Sequence, residues 1–200
     1  MSWKEDQQWE SEWHGNCVNS FWEETKQIVY AKRMGLEADM VLGKYPVYDL
    51  KGKSVIDIGG GAYSMLLKTV NGKRLTVVDP CFYPKWTKDR YSANRIQFIN
   101  SPAEEIRELE GHEFDEVWIY NCLQHTIDPK KILKNALVLS KVVRIFEWID
   151  TGVAIGHPQD LKEDKLNKWL GGVGKTEVLN ESGCYGKCYY GIFKGKHYEN

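Results

Sequence analysis

The sequence predicts an α/β domain built on a doubly wound, mostly parallel sheet of seven strands, with an antiparallel hairpin at its C-terminal edge. Three observations carry that prediction. Short, nearly continuous Val/Ile-rich runs recur through the middle of the chain, as strands covered on both faces require. They alternate with helical segments through short loops, the pattern of parallel βαβ units. The tail then changes character: "KTEVLNESGCYGKCYYGIFKGK" reads as two strands around a Ser-Gly-Cys-Tyr-Gly turn.

Residues 1–43 read as helical and rich in Trp. In "SFWEETKQIVYAKRMGL", Phe21, Thr25, Ile28, Val29 and Lys32 fall near one face, Ser20 stands where an N-cap belongs, and Glu23 follows three positions on. Gly35 and Gly43 are placed to close helices, and "KYPVYDLKGK" reads as a connector. The core then runs strand "KSVIDIG", helix "AYSMLLKTV", strand "RLTVVDP", short helix "PKWTKDRYSAN", strand "IQFINS" and helix "AEEIRELEG". Strand "FDEVWIYNC", helix "DPKKILKNALVLS" and strand "KVVRIFEWID" follow, then a helix at about 160–170. No repeat, low-complexity tract or linker interrupts this. Residues 1–200 are one domain, with an N-terminal helical part (1–50) and a core (51–200).

Composition narrows the class. The chain has 200 residues, 42% hydrophobic and 28% charged, ordinary values for a globular domain with its own core. A net charge of −1 gives no electrostatic footprint for nucleic acid or anionic membrane, so neither is an expected partner. No apolar run approaches the ~20 residues of a membrane span, and "SWKEDQQWE" is no signal peptide. The 5 cysteines (Cys17, Cys81, Cys122, Cys184, Cys188) are odd in number and scattered, which reads as reduced thiols in a cytoplasmic protein. "CYGKC" lacks a partner pair or a nearby His, so no metal is expected.

The chemistry starts at "SVIDIGGGAYSM". Gly59, Gly60 and Gly61 follow a strand directly, where a backbone without Cβ atoms can bend sharply and press against a ligand. Asp79 ends the next strand, 20 positions after Gly59, the spacing of a carboxylate that reaches the hydroxyls of a bound ribose. This constellation serves nicotinamide and S-adenosylmethionine cofactors alike. A dinucleotide fingerprint needs glycine at position 64, where Ser64 stands. Asp57, two residues before Gly59, is costly beside a pyrophosphate and useful beside an amino group or loop amides.

On these residues the chain resembles the class I S-adenosylmethionine-dependent methyltransferases. Their first motif, a hydrophobic strand, an acid and G-x-G, is matched by Val55 to Gly61, and their acid ending the second strand by Asp79. The resemblance covers about residues 50–195. It implies S-adenosyl-L-methionine as cofactor, with Gly59, Gly60 and Gly61 under its methionine part, Asp57 near the amino group and Asp79 on the ribose. Pro80 and Cys81 would flank the adenine. In "SPAEEI", Ala103 and Glu104 match the family while Pro102 replaces its acid; Tyr63 stands where a third glycine is common. "YNCLQHTIDP" resembles the stretch after the fourth strand, which puts Asn121 and Leu123 on the cofactor and Gln124 and His125 on the substrate side.

The family's helices before the first strand often form a lid, which makes Trp9 and Trp13 candidates for shielding the site, Trp13 against substrate. Lys26, Lys32 and Arg33 read first as a solvated face and second as contacts for an acidic acceptor. His125 is the first candidate base and His157, in "GVAIGHPQDL", the second, because a neutral imidazole can take the proton of an acceptor; His14, His112 and His197 receive no role. The expected reaction is methyl transfer to oxygen or nitrogen of a small molecule, since the Asp/Asn-Pro-Pro-aromatic motif of base methylation is absent. Two alternatives stand beside it: a non-catalytic cofactor-binding or scaffold subunit, and an NAD(P) oxidoreductase. The oxidoreductase pair Tyr-x-x-x-Lys is present only as Tyr190 and Lys194 in a predicted strand, where four residues span ~13 Å.

Overall fold

A computed structural model of the chain describes residues 3–15, 20–106 and 113–197. Two helices lead, α1 (Trp3–Gly15) and α2 (Ser20–Arg33), followed by strands β1 (Asp39–Val41), β2 (Tyr45–Asp49), β3 (Ser54–Ile58), β4 (Thr69–Val70) and β5 (Arg74–Val78). Then come α3 (Lys85–Ala93), β6 (Ile96–Ile99), β7 (Phe114–Tyr120), α4 (Pro129–Leu139), β8 (Ser140–Trp148), α5 (Glu163–Leu170), β9 (Lys175–Glu181) and β10 (Cys184–Lys194).

The main sheet has 7 strands in the order β6-β5-β3-β7-β8-β10-β9. Its first five are parallel, and β10 runs antiparallel to both β8 and β9. The fold class read from the sequence is therefore observed. Order reverses between β3 and β7, so the mouth of a binding crevice belongs at the carboxyl ends of those strands.

Alternation along each strand splits the core in two. Ile56, Ile58, Val117, Ile119, Val143 and Ile145 face α4 and α5, whose buried stripe includes Ile132, Leu133, Leu166 and Leu170. Val55, Trp118, Tyr120 and Phe146 face the other way, against Val29, Tyr30 and Met34 of α2 and Tyr91 of α3. Helix α4 begins where Asp128 caps the Lys131 amide at 3.0 Å with Pro129 next in line, as a helix start favours.

Three local expectations are corrected. The helix read over "AYSMLLKTV" is a single 3-10 turn, Met65–Lys68, which gives way to β4. Ser64 caps that turn, and β-branched Thr69 and Val70 followed by left-handed Asn71 (φ 56°) leave no room for a further turn. In "AEEIRELEG" Ala103–Glu105 form a 3-10 turn, and residues 107–112 lie outside the described residues. The connector "KYPVYDLKGK" contains β2, and the end of the stretch expected to be helical contains β1; with β4 they form a 3-stranded side sheet. The last hairpin turns on two residues only, Ser182 (φ 50°) and Gly183 (φ 79°), the positive pair a tight hairpin turn needs, so Cys184, Tyr185 and Gly186 belong to β10.

One buried charge cluster joins the elements across the sheet. Glu116 takes Lys53 Nζ at 2.6 Å, Arg144 Nε at 2.7 Å and Trp118 Nε1 at 2.8 Å, while Arg144 also donates to the Met34 carbonyl at 2.7 Å. Burial pushes the Glu116 carboxyl up, but the hydrogen bond and charge of Arg144, with Lys53 and Trp118, more than offset it and hold it at about 2. A carboxyl depressed by folding stabilises the native state above its unfolded value and loses that contribution as pH falls. Glu116→Ala strands the Arg144 guanidinium, so urea unfolding at pH 7 should show a loss of about 3–5 kcal/mol. That gap should shrink as pH is lowered from 5 toward 2.

Candidate active site

The three glycines form the turn out of β3. Gly59 (φ 73°) and Gly61 (φ 62°) are left-handed, and a Cβ at Gly59 would stand 2.4 Å from Cys122 Cβ. Asp57 lies beneath this turn, fully buried, with its Oδ2 accepting from Ser64 Oγ and Tyr120 OH, both at 2.5 Å. Tyr120 OH accepts from the Met65 amide at 2.9 Å; Tyr91 OH accepts from the Ser64 amide at 3.0 Å and donates to the Gly61 carbonyl at 2.7 Å. Burial raises the Asp57 carboxyl to about 7 against the pull of its two hydroxyl donors. Asp57 thus shapes the turn from below and does not line the cavity above it, which corrects the position expected beside an amino group. Strand alternation causes this, since residue 57 faces the same side as Val55, toward α2.

Above the turn opens a cavity of about 380 Å³. Asp79, 5% exposed, sits on its wall with Oδ2 accepting from the Gly61 amide at 3.0 Å and Oδ1 from the Cys81 amide at 2.9 Å and Tyr83 OH at 3.0 Å. Asn100 donates to the Asp79 and Cys81 carbonyls at 3.0 and 2.8 Å and fixes that corner. Pro80, Cys81, Ala103 and Glu104 line the same side, Gly59, Gly60, Gly61 and Tyr63 the floor, and Asn121 the β7 end. Glu104 is committed to structure as well, accepting from the Ile127 and Asp128 amides at 3.0 and 3.1 Å. Leu123 is corrected: it is fully buried in the α4/α5 core and does not line the cavity, because the 3-10 turn Leu123–His125 points it inward.

Helix α1 covers the other end. Trp9 and Trp13 stack with ring centroids 5.4 Å apart, both on the cavity. The helix is clamped by polar contacts: Asp6 accepts from the Gly156 amide at 3.0 Å and Glu10 Oε1 meets His125 Nδ1 at 2.9 Å. Trp9 packs so tightly on Gly156 that a Cβ there would stand 2.6 Å from its ring. His125 and His157 lie side by side, centroids 4.5 Å apart, and both line the cavity with Gln124.

Their surroundings pull the two imidazoles apart. Burial lowers His125, but the hydrogen bond and charge of Glu10 and the Gly156 carbonyl reverse this and leave it raised above 6.5. His157 is lowered, by burial first and by neighbouring His125 second. Its Nδ1 faces the Ile155 carbonyl at 3.3 Å, so a proton there leaves Nε2 as the acceptor. The sequence could rank neither residue, because Glu10 reaches His125 only through the docking of α1.

Other residues that line the cavity carry no motif in the sequence: Gln7, Glu10, Glu23, Gln27, Tyr30, Tyr83 and Trp148. Trp148 had a readable signal, standing at the carboxyl end of a core strand. Of the basic residues on α2, Lys26 lines the cavity, whereas Arg33 pairs with Glu177 and Glu181 of β9 at 3.1 and 2.8 Å. Cys81, Cys122, Cys184 and Cys188 are buried free thiols; Cys17 and His112 lie outside the described residues. Among the described residues no cluster of three or more His, Cys, Asp or Glu is arranged to hold a metal, and no helix is long and apolar enough to cross a membrane.

A profile of the methyltransferase domain family matches residues 56–141, the stretch from β3 into the start of β8. Over that stretch the chain is similar to the methyltransferase domain family. Solved structures share this methyltransferase fold. A cyclopropane-fatty-acyl-phospholipid synthase-like protein from Lactobacillus casei aligns with TM-score 0.62 at 11% identity, over 90% of this chain and 94% of that one. The N-methyltransferase NodS from Bradyrhizobium japonicum, in complex with S-adenosyl-L-homocysteine, aligns with TM-score 0.55 at 14% identity over 88% and 87%. The Burkholderia thailandensis 1,6-didemethyltoxoflavin-N1-methyltransferase aligns with TM-score 0.54 at 17% identity over 89% and 79%. None of the curated protein sequences matches the chain. The cavity's residues fit S-adenosyl-L-methionine: a glycine floor open to a ligand backbone, a carboxylate for a diol, and the apolar side of Ile58, Val78 and Pro80 for a purine.

Titration of the histidine Cε1 protons by NMR should give His125 an apparent pKa above 6.5 and His157 one below it. Glu10→Gln should lower His125. Because a raised histidine stabilises the fold below its unfolded value and loses this as pH rises through the folded one, the clamp on α1 should weaken toward alkaline pH. Hydrogen exchange of the α1 amides should accelerate accordingly.

Proposed function

We propose that the protein transfers a methyl group from S-adenosyl-L-methionine to oxygen or nitrogen of a small-molecule acceptor. The observation that supports this best is a single chamber running from the glycine turn and Asp79 to the paired histidines under α1, so that cofactor contacts and a base share one space. The relative 1,6-didemethyltoxoflavin-N1-methyltransferase was crystallised with 1,6-didemethyltoxoflavin and S-adenosylhomocysteine, which favours a small acceptor.

In this reading Gly59 to Gly61 and Asn121 hold the methionine part, Asp79 the ribose hydroxyls, and Pro80, Cys81 and Ala103 the adenine. The bound cofactor supplies an electrophilic sulfonium methyl group for an in-line displacement. Trp9 and Trp13 keep water from that end, and orientation of the acceptor can supply ~7–11 kcal/mol of the barrier. His157 Nε2 is the better base of the two, neutral at physiological pH and unencumbered by a carboxylate, and takes the acceptor's proton. His125, held by Glu10 and the Gly156 carbonyl, positions the lid and its neighbour.

Thermal-shift titration with S-adenosylmethionine, S-adenosylhomocysteine, NAD and NADP should give a rise of several degrees with the first two only; ligand at 100 times its Kd adds about 2.7 kcal/mol. A rise with NAD or NADP alone would overturn the reading, and none at all would favour the scaffold alternative. Asp79→Ala should weaken S-adenosylhomocysteine binding by about 1.5–3 kcal/mol. Once an acceptor is in hand, His157→Ala should lower turnover roughly 10²–10⁴-fold without changing cofactor affinity. The acid limb of the wild-type rate should then fall below pH 6.5, since His157 must be neutral to act.

A further inference from the structure

A second cavity of about 360 Å³ adjoins the first and shares Lys26, Gln124, Trp148 and His157 with it. Separate elements bring its walls together. Lys26 comes from α2, Trp148 from the end of β8, Thr151 and His157 from the loop that follows, and Tyr185 from the start of β10. The last hairpin borders it: a Cβ on Gly183 would stand 3.8 Å from Lys26 Cγ, and one on Gly186 would stand 3.7 Å from the Trp148 ring, ordinary contact distances.

Three chemical features define what it accepts. Lys26 is the one permanently charged side chain among the described residues lining it, and its carboxylate partner Glu23 lies on the wall of the first cavity. Its ammonium donates to Glu23 Oε1 at 2.6 Å, which leaves further N–H donors for a ligand. Trp148 and Tyr185 supply aromatic surface, Tyr185 with 71% of its area exposed. Gln124 supplies an unmet acceptor. The residue is 4% exposed, its Nε2 contacts Asn121 Oδ1 at 3.1 Å and His125 Nε2 at 3.2 Å, and its Oε1 has no partner. A buried carbonyl oxygen of this kind is costly until a donor reaches it.

We propose that this second cavity is the acceptor subsite, selecting a small aromatic acid that carries a hydroxyl group: carboxylate on Lys26, ring against Trp148 and Tyr185, hydroxyl turned to Gln124 Oε1 and His157. The proposal rests on the methyl-transfer reading and adds the class of acceptor to it. Gln124 presents its oxygen while His125 Nε2 is unprotonated and accepts from the amide; a proton on that nitrogen would favour the opposite amide orientation. His125 is faced by Glu10 of α1 and by His157, with Glu147 beneath the adjoining loop, so alkaline conditions suit the test.

The test is calorimetry at pH 8 on the full chain saturated with S-adenosyl-L-homocysteine, titrated with 3-hydroxybenzoate, 3-hydroxybenzamide and benzoate. 3-Hydroxybenzoate should bind, and the neutral amide and the acid lacking the hydroxyl should each bind about tenfold more weakly or worse. Lys26→Met keeps an unbranched stem and should erase the preference for acid over amide, with circular dichroism reporting that the variant is folded. Equal affinity for acid and amide, a preference that survives Lys26→Met, or no binding of 3-hydroxybenzoate to the loaded protein would overturn the proposal. The wild-type comparison stands without the variant. Failure of S-adenosylhomocysteine itself to bind would instead remove the methyl-transfer reading, and this proposal with it.

Discussion

Asp57, fully buried at the end of the first core strand, accepts hydroxyl hydrogen bonds from Ser64 and Tyr120 at 2.5 Å each, and the shape of the glycine turn depends on that arrangement. The usual support under such a turn in a doubly wound sheet is the N-terminus of a following helix, whose dipole and free amides point at the ligand. Here the helix is reduced to one 3-10 turn. Side chains from three elements do its work. Ser64 and Tyr120 grip the carboxylate, Tyr91 ties the Gly61 carbonyl to the Ser64 amide, and Tyr120 takes the Met65 amide. The carboxyl raised to about 7 shows the cost: burying its ionised form opposes folding increasingly as pH rises above the unfolded value, and the two hydroxyls only partly offset it. Gly60 completes the fit, since a Cβ there would stand 2.8 Å from Asp57 Oδ2.

From that anchored turn the rest of the site follows by short links. Asp79 is joined to it through the Gly61 amide, and Cys122 is fixed against Gly59 on the opposite side. Glu147 repeats the device on β8, beyond β7, taking the Cys122 and Leu123 amides at 3.1 Å each, its carboxyl lifted to about 7 by burial. Two buried acids at the carboxyl ends of β3 and β8 therefore hold the two loops between which the cavity opens. The lid is attached more lightly, by Asp6 and Glu10 to groups that solvent or a proton can compete for. Such a division suits a site whose floor must be rigid and whose cover must let ligand pass.

Much of this was readable in the chain itself. The strand runs, the final hairpin, the glycines, Asp79 and the histidines at the ends of two strands depend on local pattern and strand order, and each stands where those rules put it. What escaped reading was decided at longer range. Asp57 has the letters of a ligand-facing acid, but alternation along a fully buried strand turns it under the turn. "AYSMLLKTV" has helical composition, yet β4 pairs with β2 and takes its last two residues. Leu123 fell inward because its turn is 3-10. Glu10 meets His125, and Lys26 meets Trp148 and Tyr185, only after α1, α2 and the hairpin have docked, and nothing in their local sequence marks them as neighbours.

A turn held by Asp57, in place of a helix, builds the cofactor floor. Calorimetric titration of S-adenosyl-L-homocysteine into wild type and Asp57→Ala tests it most directly, with circular dichroism to confirm that the variant keeps its sheet. Wild type should bind measurably and Asp57→Ala should lose tenfold or more, about 1.4 kcal/mol at the least. A folded Asp57→Ala protein that binds as tightly as wild type would contradict it.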